Sequence, residues 1–234
     1  MSLELTDKAF VIAEAGTCHS SGDPDFRFRR AMKYVHAAAR LRVDAIKFQM
    51  FRSPSPETMF CWVDGDAGRS ERWIQSAMDF HSWKSIKREA ESLGMMFLAS
   101  AFEYETVQWL IDLDVQATKV ASRAAKYLDS FEDAPRPLLI SNGMYEIGNS
   151  SDSMVLQCEA NYPSTACWAG EHPGFSDHSG APWRAIDAMS QGCKLIEVHF
   201  YIDQIHAGPD YPASLSLEGL ELVCQARDAF ATFH

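Results

Sequence analysis

The chain has 234 residues, of which 47% are hydrophobic, and this length suits a single domain, residues 1–234, with a substantial core. Its formal net charge of −11, without any Lys/Arg-rich run, argues against nucleic acid as a partner. It contains no apolar stretch of 18 residues and no signal-peptide pattern, so we expect no membrane association and a cytoplasmic location.

Eight short apolar runs follow one another along the chain, as expected of parallel strands that are covered on both faces. They are AFVIAEAG (9–16), DAIKFQMF (44–51), MMFLASAF (95–102), QATKVAS (116–122), RPLLISNG (136–143), MVLQCEA (154–160), HPGFSDHS (172–179) and LIEVHF (195–200). Helix-like segments separate several of these runs, and the first begins with Asp23 as N-cap and Pro24 in the first turn. The alternation predicts an α/β fold of the (β/α)8 TIM-barrel type, with an open doubly wound sheet as the alternative.

Three connections depart from a regular barrel. Residues 144–153 and 161–173 show no convincing helix. We therefore expect a barrel that is shortened around its fifth and sixth helices, unless residues are missing from the sequence there. Residues 52–79 form one long stretch that is predicted to be irregular, which is typical of a functional lid or a disordered segment.

Polar side chains cluster near the carboxyl ends of the predicted strands, where (β/α)8 enzymes carry their active sites. These residues are Glu14, Lys47, Gln49, Ser100, Lys119, Ser141, Ser176, His178, Glu197 and His199. Two isolated buried ammonium groups, those of Lys47 and Lys119, would be costly unless an anion compensated them. We therefore predict an anionic ligand, a phosphate or a carboxylate, with serine hydroxyls as further donors.

Two histidines at adjacent strand ends suggest a metal site. His178 ends the seventh strand and His199 lies in the eighth, so their imidazoles should meet. Two neutral imidazoles with oxygen ligands suit Mn, Co, Fe or Zn and leave positions open for substrate. The remaining histidines, such as His19, lack such neighbours and are predicted to lie on the surface or in loops.

The segments IAEAG, DAIKFQ, FLASAF, KVAS, LLISNGM, CEANYP, GFSDHS and IEVHF, the last followed by GPD and AS, resemble the sialic acid synthase family in register from Phe10 to Ser216. The resemblance implies condensation of phosphoenolpyruvate with an N-acetylated hexosamine similar to N-acetylmannosamine. C3 of phosphoenolpyruvate would join the sugar aldehyde, water would add at C2, and phosphate would leave by C–O cleavage. The product would be a nonulosonic acid of the sialic type.

The resemblance also implies roles for individual residues. Six would hold the phosphate and carboxylate of phosphoenolpyruvate: Lys47, Ser100, Lys119, Ser122, Ser141 and Ser176. Two would bind a divalent cation, usually Mn²⁺, with Mg²⁺ or Co²⁺ as alternatives: His178 and His199. Four would face the acceptor sugar or the attacking water as catalytic residues: Glu14, Gln49, Tyr162 and Asp210, the last brought over the site by a Gly208-Pro209-Asp210 turn.

The chain departs from the family pattern at three places. Ala124 stands where the family usually has an acidic residue, residues 17–22 read TCHSSG instead of a segment containing NHNG, and no antifreeze-like domain follows residue 234. Two alternatives therefore stay open beside the synthase. One is a non-catalytic homologue that binds metal and a phosphorylated ligand, and the other is a metal-dependent sugar isomerase or aldolase. A homodimer also stays open.

Overall fold

The computed structural model describes residues 3, 5–20, 22–204, 208 and 210–232. Within these residues eight parallel strands pair in chain order, and the first also pairs with the eighth, which closes a barrel. The strands are β1 (Phe10–Gly16), β2 (Ala45–Met50), β3 (Met96–Ala101), β4 (Thr118–Val120), β5 (Leu138–Ser141), β6 (Ser153–Cys158), β7 (Gly174–Asp177) and β8 (Leu195–Phe200). A two-residue strand, β9 (Ser214–Leu215), extends the sheet beside β8. The predicted (β/α)8 barrel is confirmed.

Helices cover the outside of the barrel. They are α1 (Pro24–Arg40), α2 (Ala67–Ser76), α3 (Phe80–Ser92), α4 (Tyr104–Asp112), α5 (Pro182–Ser190) and α6 (Leu217–Phe230), with 3₁₀ helices at Ser122–Phe131 and Tyr211–Ala213. The carboxylate of Asp23 caps α1 by accepting from the Phe26 amide at 2.7 Å, as predicted. Residues 142–152 and 159–173 contain no helix, which confirms the predicted shortening around the fifth and sixth helices. Among the described residues, no helix is both long and apolar enough to cross a membrane.

The prediction that residues 52–79 are irregular throughout is wrong. Helix α2 lies within this segment and begins at an Asp66 cap, whose carboxylate accepts from the Arg69 amide at 3.0 Å. Its Trp73 is buried against Phe51 and Trp62. This tertiary contact stabilises a short helix whose own sequence signal is weak.

The polarity of the barrel interior changes along the barrel axis. Its amino-terminal half is filled by apolar side chains, among them Phe10, Ile12, Leu98 and Leu195. A second apolar layer fills the space between the sheet and the helices. His19 belongs to that outer layer: it is fully buried, its ring meets Phe48 and Trp83 edge-on at 5.6 Å, and burial lowers its pKa to about 4. His19 lies in the turn after β1, which agrees with a loop position, but it is buried and does not lie on the surface.

Candidate active site

Strand register brings the predicted polar residues to one level of the barrel. Glu14 of β1 lies opposite Lys47 of β2 on one side and His199 of β8 on the other. Two further pairs of neighbours are Ser100 with Lys119 and Ser176 with Glu197. All these side chains are buried, at the carboxyl half of the barrel.

Two lysines and two glutamates form a buried ionic network. The Lys47 ammonium contacts the Glu14 carboxylate and lies 3.7 Å from Glu197 Oε2, while the Lys119 ammonium lies 3.8 Å from Glu197 Oε1. The premise that these ammonium groups are isolated is therefore wrong. The sequence pattern shows which residues face inward but not which ones meet across the barrel. Because the opposite charges balance, the lysines alone do not require an anionic ligand.

Serine hydroxyls connect the members of this network. Lys119 Nζ donates to Ser141 Oγ at 2.7 Å, the Ser141 and Ser176 hydroxyls lie 2.9 Å apart, and Ser176 Oγ donates to Glu197 Oε1 at 3.3 Å. A continuous path of hydrogen bonds thus runs from an ammonium group to a carboxylate. Lys47 Nζ also donates to Ser100 Oγ, at 3.2 Å.

Burial and the ion pairs of this network shift the pKa values of its charged groups. Although burial raises the pKa of Glu197, the Lys119 and Lys47 ammonium groups outweigh it and hold that pKa at about 2. Burial lowers the pKa of Lys119, although the Glu197 charge opposes this effect. Glu197 is therefore a permanent anion near neutral pH, and it fixes both lysines at the centre of the barrel.

A cavity of about 430 Å³ opens on the carboxyl-terminal side of this network. The direction follows from Gln49, which lies two residues after Lys47 on the same strand face and lines the cavity. Five of the predicted site residues lie on its wall: Gln49, Ser122, Tyr162, His178 and Asp210. The other seven are buried and do not line this cavity: Glu14, Lys47, Ser100, Lys119, Ser141, Ser176 and His199. The structure thus brings the predicted residues to one end of the barrel, but in two layers.

The two predicted metal-binding histidines lie together, with ring centroids 5.3 Å apart. His178 donates from Nδ1 to the Glu159 carbonyl at 2.8 Å, which leaves the Nε2 lone pair facing the Tyr162 hydroxyl at 3.1 Å. Burial lowers the pKa of His178 to about 4, so the ring is neutral near pH 7. A neutral imidazole oriented by a carbonyl is the form that binds metal ions.

Because Gly16 has no side chain, further atoms that could coordinate a metal ion lie close together beside His199. A Cβ at this glycine, whose φ is +52°, would lie 3.1 Å from Asp210 Oδ2 and 3.4 Å from both Glu14 Oε1 and His199 Nδ1. Glu14 Oε1 and His199 Nδ1 are buried and have no hydrogen-bond partner in the described part of the chain. Pro209 of the predicted turn lies outside the described residues.

These nitrogen and oxygen atoms fit a divalent cation that is bound by two imidazoles and whose coordination is completed by oxygen ligands. Within the described ranges, no three or more His, Cys, Asp or Glu side chains are already grouped as a metal site. A cation at His178 and His199 would therefore take its remaining ligands from nearby carboxylate oxygens, such as those of Glu14 and Asp210, from substrate or from water.

Sequence reasoning missed three arginines on the cavity wall: Arg69, Arg72 and Arg123. The first two lie on α2, inside the segment predicted to be irregular, and the third directly follows Ser122. The signal available in the sequence was the helical spacing of Arg69 and Arg72 after the Asp66 cap.

Comparisons with known proteins agree with this architecture. An N,N'-diacetyllegionaminic acid synthase of Legionella pneumophila is 29% identical over 94% of this chain and 72% of its own length. The human N-acetylneuraminate-9-phosphate synthase is 26% identical over 88% of this chain and 66% of its own length. The crystal structure of an N-acetylneuraminic acid synthetase of Leptospira borgpetersenii superposes with a TM-score of 0.78 at 21% identity, and covers 96% of this chain and 84% of that one.

The profile of the NeuB family matches residues 34–169 and 168–233, which together make up most of the barrel. The matched ranges include eleven of the twelve predicted site residues, from Lys47 to Asp210, and leave out only Glu14. The chain belongs to the NeuB family.

Proposed function

We propose that the chain condenses phosphoenolpyruvate with an N-acetylated hexosamine similar to N-acetylmannosamine, and releases phosphate and a nonulosonic acid. Membership of the NeuB family supports the coarser statement that it is a synthase acting on phosphoenolpyruvate and an amino sugar. We further propose that a divalent cation, Mn²⁺ above all, binds at His178 and His199.

One observation carries this proposal: the two neighbouring imidazoles adjoin a cavity that lies over a lysine, glutamate and serine network. Lys47 and Lys119 would donate charge-assisted hydrogen bonds to the anionic groups of phosphoenolpyruvate, with Ser100, Ser141 and Ser176 as hydroxyl donors. Ser122 lines the cavity, and its buried hydroxyl has no partner among the described residues, so it is available to a ligand.

The remaining predicted residues would act on the acceptor. Gln49, Tyr162 and Asp210 line the cavity and can position the sugar aldehyde. Glu14 would act beside His199, where one of its oxygens lacks a partner within the described ranges. When bound, the cation supplies Lewis-acid stabilisation of the alkoxide charge that develops on the aldehyde oxygen.

A phosphate-release assay tests the reaction. Purified chain is incubated with phosphoenolpyruvate and a panel of N-acetylated hexosamines, with Mn²⁺ or with a chelator. We expect release that requires both sugar and metal and is lost in Lys119→Met, while Lys84→Met, at an exposed position of α3, behaves like the parent. Tight binding of phosphoenolpyruvate without release for any sugar would instead support a non-catalytic homologue, and borohydride trapping of a sugar on Lys119 would support a Schiff-base aldolase.

A further inference from the structure

Three arginines concentrate positive charge at one side of the cavity. Arg69 and Arg72 come from α2, Arg123 comes from the 3₁₀ helix after β4, and all three line the wall. The chain as a whole carries a formal charge of −11, but among the described residues that line this wall, Asp210 is the only one with a carboxylate.

The arginines are poorly compensated by the protein itself. Arg69 Nε pairs with Asp66 Oδ2 at 3.1 Å. Arg72 and Arg123 have neither an ion-pair nor a hydrogen-bond partner for their guanidinium groups in the part of the chain that the structure describes. Burial, followed by the nearby charge of Arg69, lowers the pKa of Arg123. Like charges held together in a half-buried position are relieved by a bound anion.

The position of the arginines sets them apart from the bond-forming end of the cavity. Arg123 follows β4, whereas His199 lies in β8, half a turn away in a barrel of eight paired strands. Helix α2 lies between β2 and β3 in the chain and carries the other two arginines. An acceptor whose aldehyde lies by the imidazoles would therefore extend its far end toward the arginines.

We propose that Arg69, Arg72 and Arg123 bind an anionic substituent, a phosphate monoester or a carboxylate, at the end of the acceptor sugar remote from its aldehyde. This inference rests on the proposed synthase reaction. Guanidinium groups are well suited to such a group because they offer paired donors to its oxygens. It follows that, within the proposed class of N-acetylated hexosamines, the preferred acceptor is an anionic derivative and not the neutral sugar itself.

Calorimetry with three related sugars tests the proposal: N-acetylmannosamine, its 6-phosphate and the corresponding 6-carboxylate. Titrations are carried out with Mn²⁺ and without phosphoenolpyruvate, so that no turnover occurs. We expect at least one anionic sugar to bind roughly tenfold or more tightly than the neutral sugar. The stronger of the two anionic ligands identifies the substituent.

Arginine variants localise the effect. Arg72→Gln, Arg123→Gln and the double variant should weaken binding of the anionic sugar about tenfold to hundredfold, while the neutral sugar is unaffected. Arg88→Gln on the outer face of α3 removes the same charge far from the cavity and should bind like the parent. Thermal melting shows whether each variant is folded, and the preference of the parent chain tests the proposal without any variant.

Two results would overturn the inference. One is equal affinity of the parent for all three sugars. The other comes from a separate titration of parent and variants with phosphoenolpyruvate alone: a loss of affinity for phosphoenolpyruvate, with affinity for the sugars unaffected, would assign the arginines to the donor. Preferential binding of an anionic sugar, combined with no phosphate release from phosphoenolpyruvate for any sugar, would contradict the synthase reaction while still supporting the arginine site.

Discussion

The Tyr162 ring stacks on the His178 ring with centroids 4.3 Å apart, and its hydroxyl lies 3.1 Å from His178 Nε2. This hydrogen bond occupies the lone pair that a cation would need. Metal binding at His178 must therefore displace the hydroxyl, at a cost of about one hydrogen bond, roughly 0.5–1.5 kcal/mol.

Tyr162→Phe should accordingly strengthen Mn²⁺ binding by up to about tenfold, because the ring packing stays and only the competing hydroxyl is lost. Calorimetric titration of the chain with Mn²⁺ measures this change, and Tyr211→Phe, near the surface, is the matched control. Weaker binding in Tyr162→Phe would show that the phenol oxygen helps to hold the ion.

Removing either imidazole should have the opposite effect. His178→Ala or His199→Ala leaves one protein nitrogen for the cation, so Mn²⁺ affinity should fall by more than the ~10–100-fold that is typical when only a supporting partner of a ligand is lost. His36, an exposed histidine on α1, provides the control variant His36→Ala. If the double variant titrates like the parent, the assignment of the metal to these histidines is wrong.

The ionic network reverses an expectation about stability. Isolated ammonium groups would predict that Lys47→Met leaves stability unchanged or raises it, but the Glu14 contact predicts a loss of about 3–5 kcal/mol, because a buried carboxylate is left unpaired. Urea unfolding measures the free energy of unfolding. The double variant Lys47→Met/Glu14→Gln should recover part of the loss, and strictly additive losses would mean that the two side chains are not coupled.

Cys158 should be an unreactive thiol although it lines the cavity. Burial raises its pKa to about 12, so the thiolate fraction near pH 8 is very small and grows only as the pH approaches that value. Iodoacetamide followed by peptide mass spectrometry should label the exposed Cys167 first. Rapid labelling of Cys158 at pH 8 would show that burial does not raise the pKa of this thiol.

Much of the fold could be predicted from the sequence because it depends on local patterns. Apolar runs of strand length, separated by capped helices, specify a barrel, and alternation of faces within a strand places Lys47 and Gln49 on the same side. The resemblance then assigned roles that stay predictions. The positions of those residues at the carboxyl ends of the strands agree with the structure.

Contacts across the barrel could not be predicted in the same way. The ion pairs of Glu197 with Lys47 and Lys119 depend on which side chains meet at the centre, and no spacing within one strand records this. The arginines of α2 reach the cavity because Trp73 anchors that helix, a packing effect that a single sequence does not show. His19 is buried for the same kind of reason, between aromatic rings of β2 and α3.

The pairing of β1 with β8 places Glu14 opposite His199, so the candidate site lies across the seam where the two ends of the sheet meet. A ligand that contacts residues of both β1 and β8 stabilises the closed barrel, because it binds the barrel in which these strands are paired and not one in which they have separated. By mass action, its occupancy adds to the free energy required to open the barrel. The free energy of unfolding should therefore increase with occupancy of the site, because opening the barrel between β1 and β8 would also separate the two halves of the site.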